Sequence, residues 1–243
     1  MSQPKIAIVA ALEREVWPLV KNWAVSRRDH EGRQFKLFEN GQTVLVCGGI
    51  GAEAARRATE AIIVLYRPER VQSVGFAGAL EPEMSVGDVI VPGRIIDARD
   101  GSRVETGATG CALVSIDVIV GAEQKAKLAN TYGAKAVDME AAAVAHGAQA
   151  HSLPFSAVKV ISDKWDFAMP PMQRFIDCNG NFRTGRFALF AALRPWLWPS
   201  VIQLGRNSTL AARNLCAWLE QKNQSVPAEQ SGLQSVAAGD RHS

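Results

Sequence analysis

The first apolar run, Ile6-Ala7-Ile8-Val9-Ala10-Ala11, is uninterrupted by any polar residue, the pattern of a strand buried on both faces. From Glu13 to Trp23 the spacing of apolar positions predicts a helix. Val44-Leu45-Val46-Cys47 predicts a second strand, and Gly48-Gly49-Ile50-Gly51 leads from it into an alanine-rich helix from about Ala52 to Leu65. Val71 to Phe76 predicts a third strand. Val89-Ile90-Val91 and Ile95-Ile96 predict a fourth, interrupted by Pro92-Gly93. Ala112 to Ile116 predicts a fifth and Ala157 to Ile161 a sixth. Further helices are expected over Asp138 to Ala150, Arg186 to Leu193 and Leu204 to Gln221. Such alternation argues for an α/β fold with a mainly parallel sheet. Periodicity fades from Asn223 to Ser243, where Ser, Gln, Ala and Gly accumulate. The expected division is therefore one domain over 1–222 and a flexible tail over 223–243.

Two acids break this pattern in apolar settings. Asp163 ends the buried run Val158-Lys159-Val160-Ile161-Ser162-Asp163, and Glu140 lies at the start of the small-residue helix Val137-Asp138-Met139-Glu140-Ala141-Ala142-Ala143. An acid at the carboxyl end of a buried strand points into the crevice where open α/β sheets bind ligands. Each has a structural alternative: Asp163 as a helix N-cap, Glu140 as a first-turn acid facing the helix dipole. Glu15, on the first helix, reads equally as a solvated residue.

Composition narrows the function classes. The net charge is only +3 and the basic residues are scattered, so nucleic acid is not the expected partner. Cys47, Cys111, Cys178 and Cys216 are far apart, with no metal-ligand spacing, and are expected to be reduced thiols packed as small apolar residues. The run from Met1 to Lys5 leads straight into a strand, so no leader segment is expected. No apolar run reaches the roughly 18 residues of a membrane span. The segment Gly48-Gly49-Ile50-Gly51 reads either as a tight turn or as an anion site at a helix N-terminus. Gly75-Phe76-Ala77-Gly78-Ala79 reads as a packing turn or as a place where a ligand approaches the backbone.

Six segments in order carry a family resemblance. They are Ile6-Ala7-Ile8-Val9-Ala10-Ala11-Leu12-Glu13-Arg14-Glu15-Val16, Gly49-Ile50-Gly51, Gly75-Phe76-Ala77-Gly78-Ala79-Leu80, Val86-Gly87-Asp88-Val89-Ile90-Val91, Val137-Asp138-Met139-Glu140-Ala141 and Val160-Ile161-Ser162-Asp163. Over roughly residues 5 to 165 the chain resembles the nucleoside phosphorylase/nucleosidase superfamily, and within it the methylthioadenosine/S-adenosylhomocysteine nucleosidases. The resemblance implies a single α/β domain, its mixed, mostly parallel, partly closed sheet flanked by helices, and assembly as a homodimer or larger oligomer. It implies cleavage of the N-glycosidic bond of a 5′-substituted adenine nucleoside, with no metal or redox cofactor. Such a reaction passes through an oxocarbenium-like sugar and needs a proton on the leaving base. By resemblance Asp163 protonates purine N7, with Ser162 orienting it, and Glu140 holds the ribose hydroxyls beside Met139. Glu15 positions and activates water, while Ile50, Val118 and Ile119 contact the substrate.

The departures from the family pattern also carry expectations. Phe76 stands where the nucleosidases place a serine near the ribose. The strand end Ser115-Ile116-Asp117-Val118-Ile119-Val120 lacks an aromatic to stack on the base. Ser73 lies in the stretch where phosphorylases carry a phosphate-binding arginine, which favours hydrolysis over phosphorolysis. Few residues separate Ile96 from Asp117, which opens the 5′ side of the pocket. After Asp163, the segments Trp165 to Met172, Phe182 to Phe187 and Leu193 to Pro199 resemble the hopanoid-associated branch, thought to act on adenosylhopane. Trp196 and Trp198, between Arg194 and Arg206, are residue types of a membrane interface, or alternatively of a core or subunit contact. The expected location is the cytoplasm, with peripheral contact at the inner membrane face under the lipid-linked reading. The alternatives are a phosphate-dependent purine nucleoside phosphorylase and a catalytically weak nucleoside-binding module.

Overall fold

The strands that lead into the candidate acids, Ile6–Ala10, Ala136–Asp138 and Phe155–Asp163, all pair with one long strand. In the computed structural model, which describes residues 5–224, the elements are β1 (Ile6–Ala10), α1 (Glu13–Val20), β2 (Ala24–His30), β3 (Arg33–Asn40), β4 (Thr43–Cys47), α2 (Ala52–Tyr66) and β5 (Arg70–Ala79). They continue with β6 (Val89–Ile90), β7 (Arg94–Asp97), β8 (Arg103–Glu105), β9 (Ala112–Ser115), α3 (Ala122–Tyr132) and β10 (Ala136–Asp138). The last are α4 (Ala141–Ala150), β11 (Phe155–Asp163), α5 (Thr184–Ala192) and α6 (Trp198–Gln224). The sheet is mixed, with order β2-β3-β4-β1-β5-β10-β9-β7-β8, and it branches at β5, which also pairs with β11. Pairing is parallel at its centre, β4-β1-β5-β11, and antiparallel in the β2-β3-β4 and β7-β8 rims.

The unbroken apolar run of β1 has a direct packing cause. Ala7 and Val9 face a layer with Ala58 and Ile62 of α2 and Val144 and Ala148 of α4. Ile8 and Ala10 face the opposite layer, with Val16 and Leu19 of α1 and Ala211, Leu215 and Leu219 of α6. Alternate residues point to opposite faces of a strand, and here both faces are covered.

Several expectations need correction. The fourth strand is two: β6 pairs with β11, while β7 pairs with β8 and β9, so Pro92-Gly93 separates strands with different partners. Asp138 ends β10 instead of opening a helix, and α4 starts at Ala141. The β2-β3 hairpin escaped the hydrophobic pattern because β2 is an exposed edge strand carrying Arg27, Arg28 and Asp29, as edges that must avoid pairing do. Helix α3 shows little apolar pattern in the sequence, since only Lys125 and Leu128 of it are buried. The first helix stops at Val20, and the last starts at Trp198 with Pro199 in its first turn, where a missing N–H costs nothing. Among the cysteines only Cys216 is buried, and Cys178 is exposed, contrary to packing throughout; all four are unpaired. Helix α6 reaches Gln224, past the expected boundary at 222, and the rest of the expected tail lies outside the described residues.

Candidate active site

A cleft of about 150 Å³ opens where the carboxyl ends of β1, β5, β10 and β11 converge. All nine residues singled out from the sequence line it: Glu15, Ile50, Phe76, Val118, Ile119, Met139, Glu140, Ser162 and Asp163. It is also lined by Lys125, Asp138, Arg14, Met169 and Met172, which sequence reasoning did not assign to a site.

The two glycines of Gly75-Phe76-Ala77-Gly78 lie within β5, not in a turn. A Cβ at Gly75 would sit 2.7 Å from Glu15 Oε2, and one at Gly78 would sit 2.9 Å from Asp163 Oδ2. The missing side chains make room for two carboxyl groups on the sheet. Glu15 is accordingly buried rather than solvated, and its Oε2 has no hydrogen-bond partner among the described residues. Burial pushes its pKa up to about 7, against the opposing pull of the nearby Lys159 and Arg14 charges.

Glu140 sits at the N-cap position of α4 but makes no side-chain cap there. Its Oε1 instead accepts the Gly51 N–H at 2.8 Å, at the start of α2. The glycine turn thus does present an N–H to an acceptor, and the acceptor is the chain's own Glu140 carboxyl group. Gly49 in the same turn has φ +107°, and any Cβ there would lie 3.0 Å from the Asn179 carbonyl oxygen. Burial raises the pKa of Glu140 to about 8, and the negative charge of Asp138 adds to the rise while Lys159 opposes it.

Behind these acids lies a buried ion pair. Lys159 Nζ is 2.8 Å from Asp138 Oδ2, and both side chains are at most 1% exposed. Asp138 Oδ1 accepts the Ser115 hydroxyl at 2.5 Å, and Oδ2 accepts the Ala141 N–H at 2.9 Å, so Asp138 anchors the start of α4. Burial alone lowers the pKa of Lys159, yet Asp138 and Glu140 outweigh it and carry the ammonium above its usual range.

Asp163 is not a helix cap, because β11 ends at it and no helix follows. Its Oδ1 accepts the Ser162 hydroxyl at 2.6 Å, and its Oδ2 pairs with the buried Lys125 ammonium. Lys125 Nζ also donates to the Lys164 carbonyl at 2.6 Å. Nothing in the periodicity of α3 signals this lysine. Lys159, by contrast, was visible as a charge inside an apolar strand, a position that demands a partner.

Val118 and Ile119 follow β9 in a loop and do not continue the strand, since pairing stops at Ser115. The Ile119 N–H donates to Gln173 Oε1 at 2.8 Å, which ties that loop to the segment carrying Met169 and Met172. These thioethers add apolar, polarizable surface to the cleft. Phe76 packs against the cluster of Ile8, Val16 and Leu215 and lines both this cleft and a second cavity of about 520 Å³. That annex lies between α1 and α6 and is lined by Trp17, Phe182, Phe187, Val201 and Leu204 among others. Trp196 and Trp198, 72% and 48% exposed, belong to neither core nor annex. Among the described residues no group of three or more His, Cys, Asp or Glu is placed to hold a metal ion.

The family model described as "Phosphorylase superfamily" matches residues 5–113 and 98–177. The chain belongs to the phosphorylase superfamily. The matched stretches contain every residue of the cleft named above. The chain is 26% identical over 200 residues to 5′-methylthioadenosine/S-adenosylhomocysteine nucleosidase of Glaesserella parasuis, covering 67% of this chain and 86% of that protein. With the nucleosidase of the same name from Actinobacillus succinogenes it shares 29% identity over 203 residues, again 67% of this chain and 86% of the relative. The superfamily fold recurs in the Helicobacter pylori 5′-methylthioadenosine/S-adenosylhomocysteine nucleosidase, with TM-score 0.69 and 17% identity over 93% of this chain and 100% of the other.

Proposed function

We propose that this phosphorylase-superfamily chain hydrolyses the N-glycosidic bond of a 5′-substituted adenine nucleoside and releases adenine. The observation that carries the reading is the convergence of Asp163, Glu140 and Glu15 on one cleft, each held by a different strand or helix end. The nucleosidase relatives support the same reaction class.

The roles are those the family resemblance implies, and the environments are compatible with them. Asp163, oriented by Ser162, delivers a proton to purine N7 as the C1′–N9 bond breaks. Glu140 holds the ribose hydroxyls, with Met139 against the sugar; a buried carboxyl group with a raised pKa can donate to one hydroxyl and accept from the other. Glu15, with a pKa near neutrality and one oxygen without a partner, takes the proton of the attacking water. Ile50, Val118 and Ile119 enclose the substrate. The chain's own residues supply each of these steps.

Hydrolysis is favoured over phosphorolysis by the charge of the cleft. Lys125 and Lys159 are tied to Asp163 and Asp138, and a phosphate beside Glu15 and Glu140 would face two acids with Arg14 as the remaining lining cation. Measuring adenine release from 5′-methylthioadenosine with and without phosphate tests this. Strict phosphate dependence would reverse the assignment, and tight binding without turnover would point to a binding module.

The apolar annex supports a large apolar 5′ substituent of the adenosylhopane kind, reached past Phe76. Exposed Leu189, Leu193, Trp196 and Trp198, on the stretch from α5 to the start of α6, suit a peripheral contact with lipid, from a cytoplasmic location. No helix among the described residues is long and apolar enough to cross a membrane. Vesicle co-sedimentation of wild type and Trp196→Ser tests that contact. Assembly as a homodimer, implied by the family resemblance, is tested by sedimentation velocity.

A further inference from the structure

The Lys125–Asp163 pair raises a difficulty for a proton donor. In the pair as it stands, Asp163 only accepts: Oδ1 takes the Ser162 hydroxyl hydrogen and Oδ2 faces the Lys125 ammonium. A carboxylate engaged in this way has no proton of its own to give to the base. The proton must come from a neighbour, and a serine hydroxyl is far too weak an acid. Lys125 is the neighbour that has one. The other ionisable side chains lining the cleft are Arg14, Glu15, Asp138 and Glu140, and none is paired with Lys125 or Asp163 among the described residues.

The surroundings keep the lysine in this position. Its side chain is 1% exposed, and the Lys164 carbonyl holds a second N–H at 2.6 Å. A Cβ at residue 78 would lie 3.2 Å from both Cε and Nζ of Lys125, so Gly78 leaves room for the lysine as well as for the aspartate. A lysine ammonium carries a transferable proton, as an arginine guanidinium does not.

We propose that Lys125 loads Asp163 with the proton that goes to the purine. It is a positioning residue that acts through Asp163, and the inference rests on the nucleosidase reading above. As the C1′–N9 bond breaks, its electron pair passes to the base and N7 takes the proton from Asp163 Oδ2. Lys125 Nζ gives one proton to the same oxygen and becomes a neutral amine, still bonded to the Lys164 carbonyl. Water adds its oxygen to C1′ and leaves a proton on Glu15. The proton gained by Glu15 and the one lost by Lys125 cancel through solvent once products leave.

The test uses Lys125→Met and Lys125→Arg with two substrates sharing one 5′ group: the adenine nucleoside, and a riboside whose leaving group is 4-nitrophenolate and needs no proton. Both variants are expected to lose about 10²- to 10⁴-fold in kcat for adenine release, the range of general acid catalysis, with KM little changed. Both should release nitrophenolate at the wild-type rate, which also reports that the variants are folded. Arginine keeps the positive charge but cannot give up a proton at neutral pH. Adenine release restored by Lys125→Arg would reduce the lysine to a charge anchor and overturn the proposal. So would a parallel loss on both substrates. If the wild type releases nitrophenolate but no adenine, the adenine reading itself fails and takes this inference with it.

Discussion

A carboxylate oxygen of Glu15 occupies the space where a side chain on residue 75 would begin, 2.7 Å from the position of a Cβ on Gly75. Gly75→Ala must therefore displace Glu15 from the cleft without touching Asp163 or Glu140. Adenine release should fall by about 10²- to 10⁴-fold, as when a general base is removed. Comparing kcat for Gly75→Ala and Glu15→Gln checks this, and an unimpaired Gly75→Ala would dissociate Glu15 from the reaction.

The raised pKa of Glu15 sets a pH profile. A base must be ionised, so kcat/KM should climb with pH through about 7 and level off above it. Glu15→Gln should remove that limb from whatever activity is left.

Stability should run the opposite way. Between the unfolded value of 4.5 and the folded values of about 7 for Glu15 and about 8 for Glu140, the native state binds more protons than the unfolded chain. Stability is then full below about 4.5 and is lost as pH rises through the two folded values. For Glu15 alone the displacement corresponds to roughly 3 kcal/mol. Urea titrations of wild type and Glu15→Gln across pH 4 to 9, on the order of one unit apart, should show the Gln variant losing less over that window.

The fold itself depends on the Lys159–Asp138 pair. Lys159→Met leaves Asp138 buried beside Glu140 with no counter-charge and should cost about 3–5 kcal/mol. The double variant Lys159→Met with Asp138→Leu should recover part of that loss. A single variant as stable as wild type would remove the pair from any structural role.

For the annex the variable is chain length. If it receives the 5′ substituent, each added methylene should improve binding by about 0.8 kcal/mol, close to fourfold in KM where KM reports binding. Val201→Arg, in the annex and not in the cleft, should abolish that gain and leave 5′-methylthioadenosine turnover intact. A flat response to chain length in wild type would place the substituent elsewhere.

Much of the architecture can be read from local pattern. The strands with both faces covered, β1, β4, β5 and β11, announce themselves as mainly apolar runs, because a polar residue on either face, such as Lys159, needs a buried partner. What pattern hides is what solvent tolerates: β2 with its charges, and α3 with two buried residues. Asp138 reads as part of a helix because small and acidic residues suit a helix start as well as a strand end, and only pairing with β9 and β5 decides.

The candidate site divides the same way. Residue type and setting single out Asp163 and Glu140, because an acid beside an apolar run needs a reason to be there, and the family resemblance adds Glu15. Their environments come from contacts between residues distant in sequence. Lys125 reaches Asp163 across 38 positions, and Gly51 reaches Glu140 across 89. Charge and burial act through space, so the sequence alone determines which groups can titrate. The tertiary structure decides which one is left without a partner, which is raised by burial, and which has a lysine to hand it a proton.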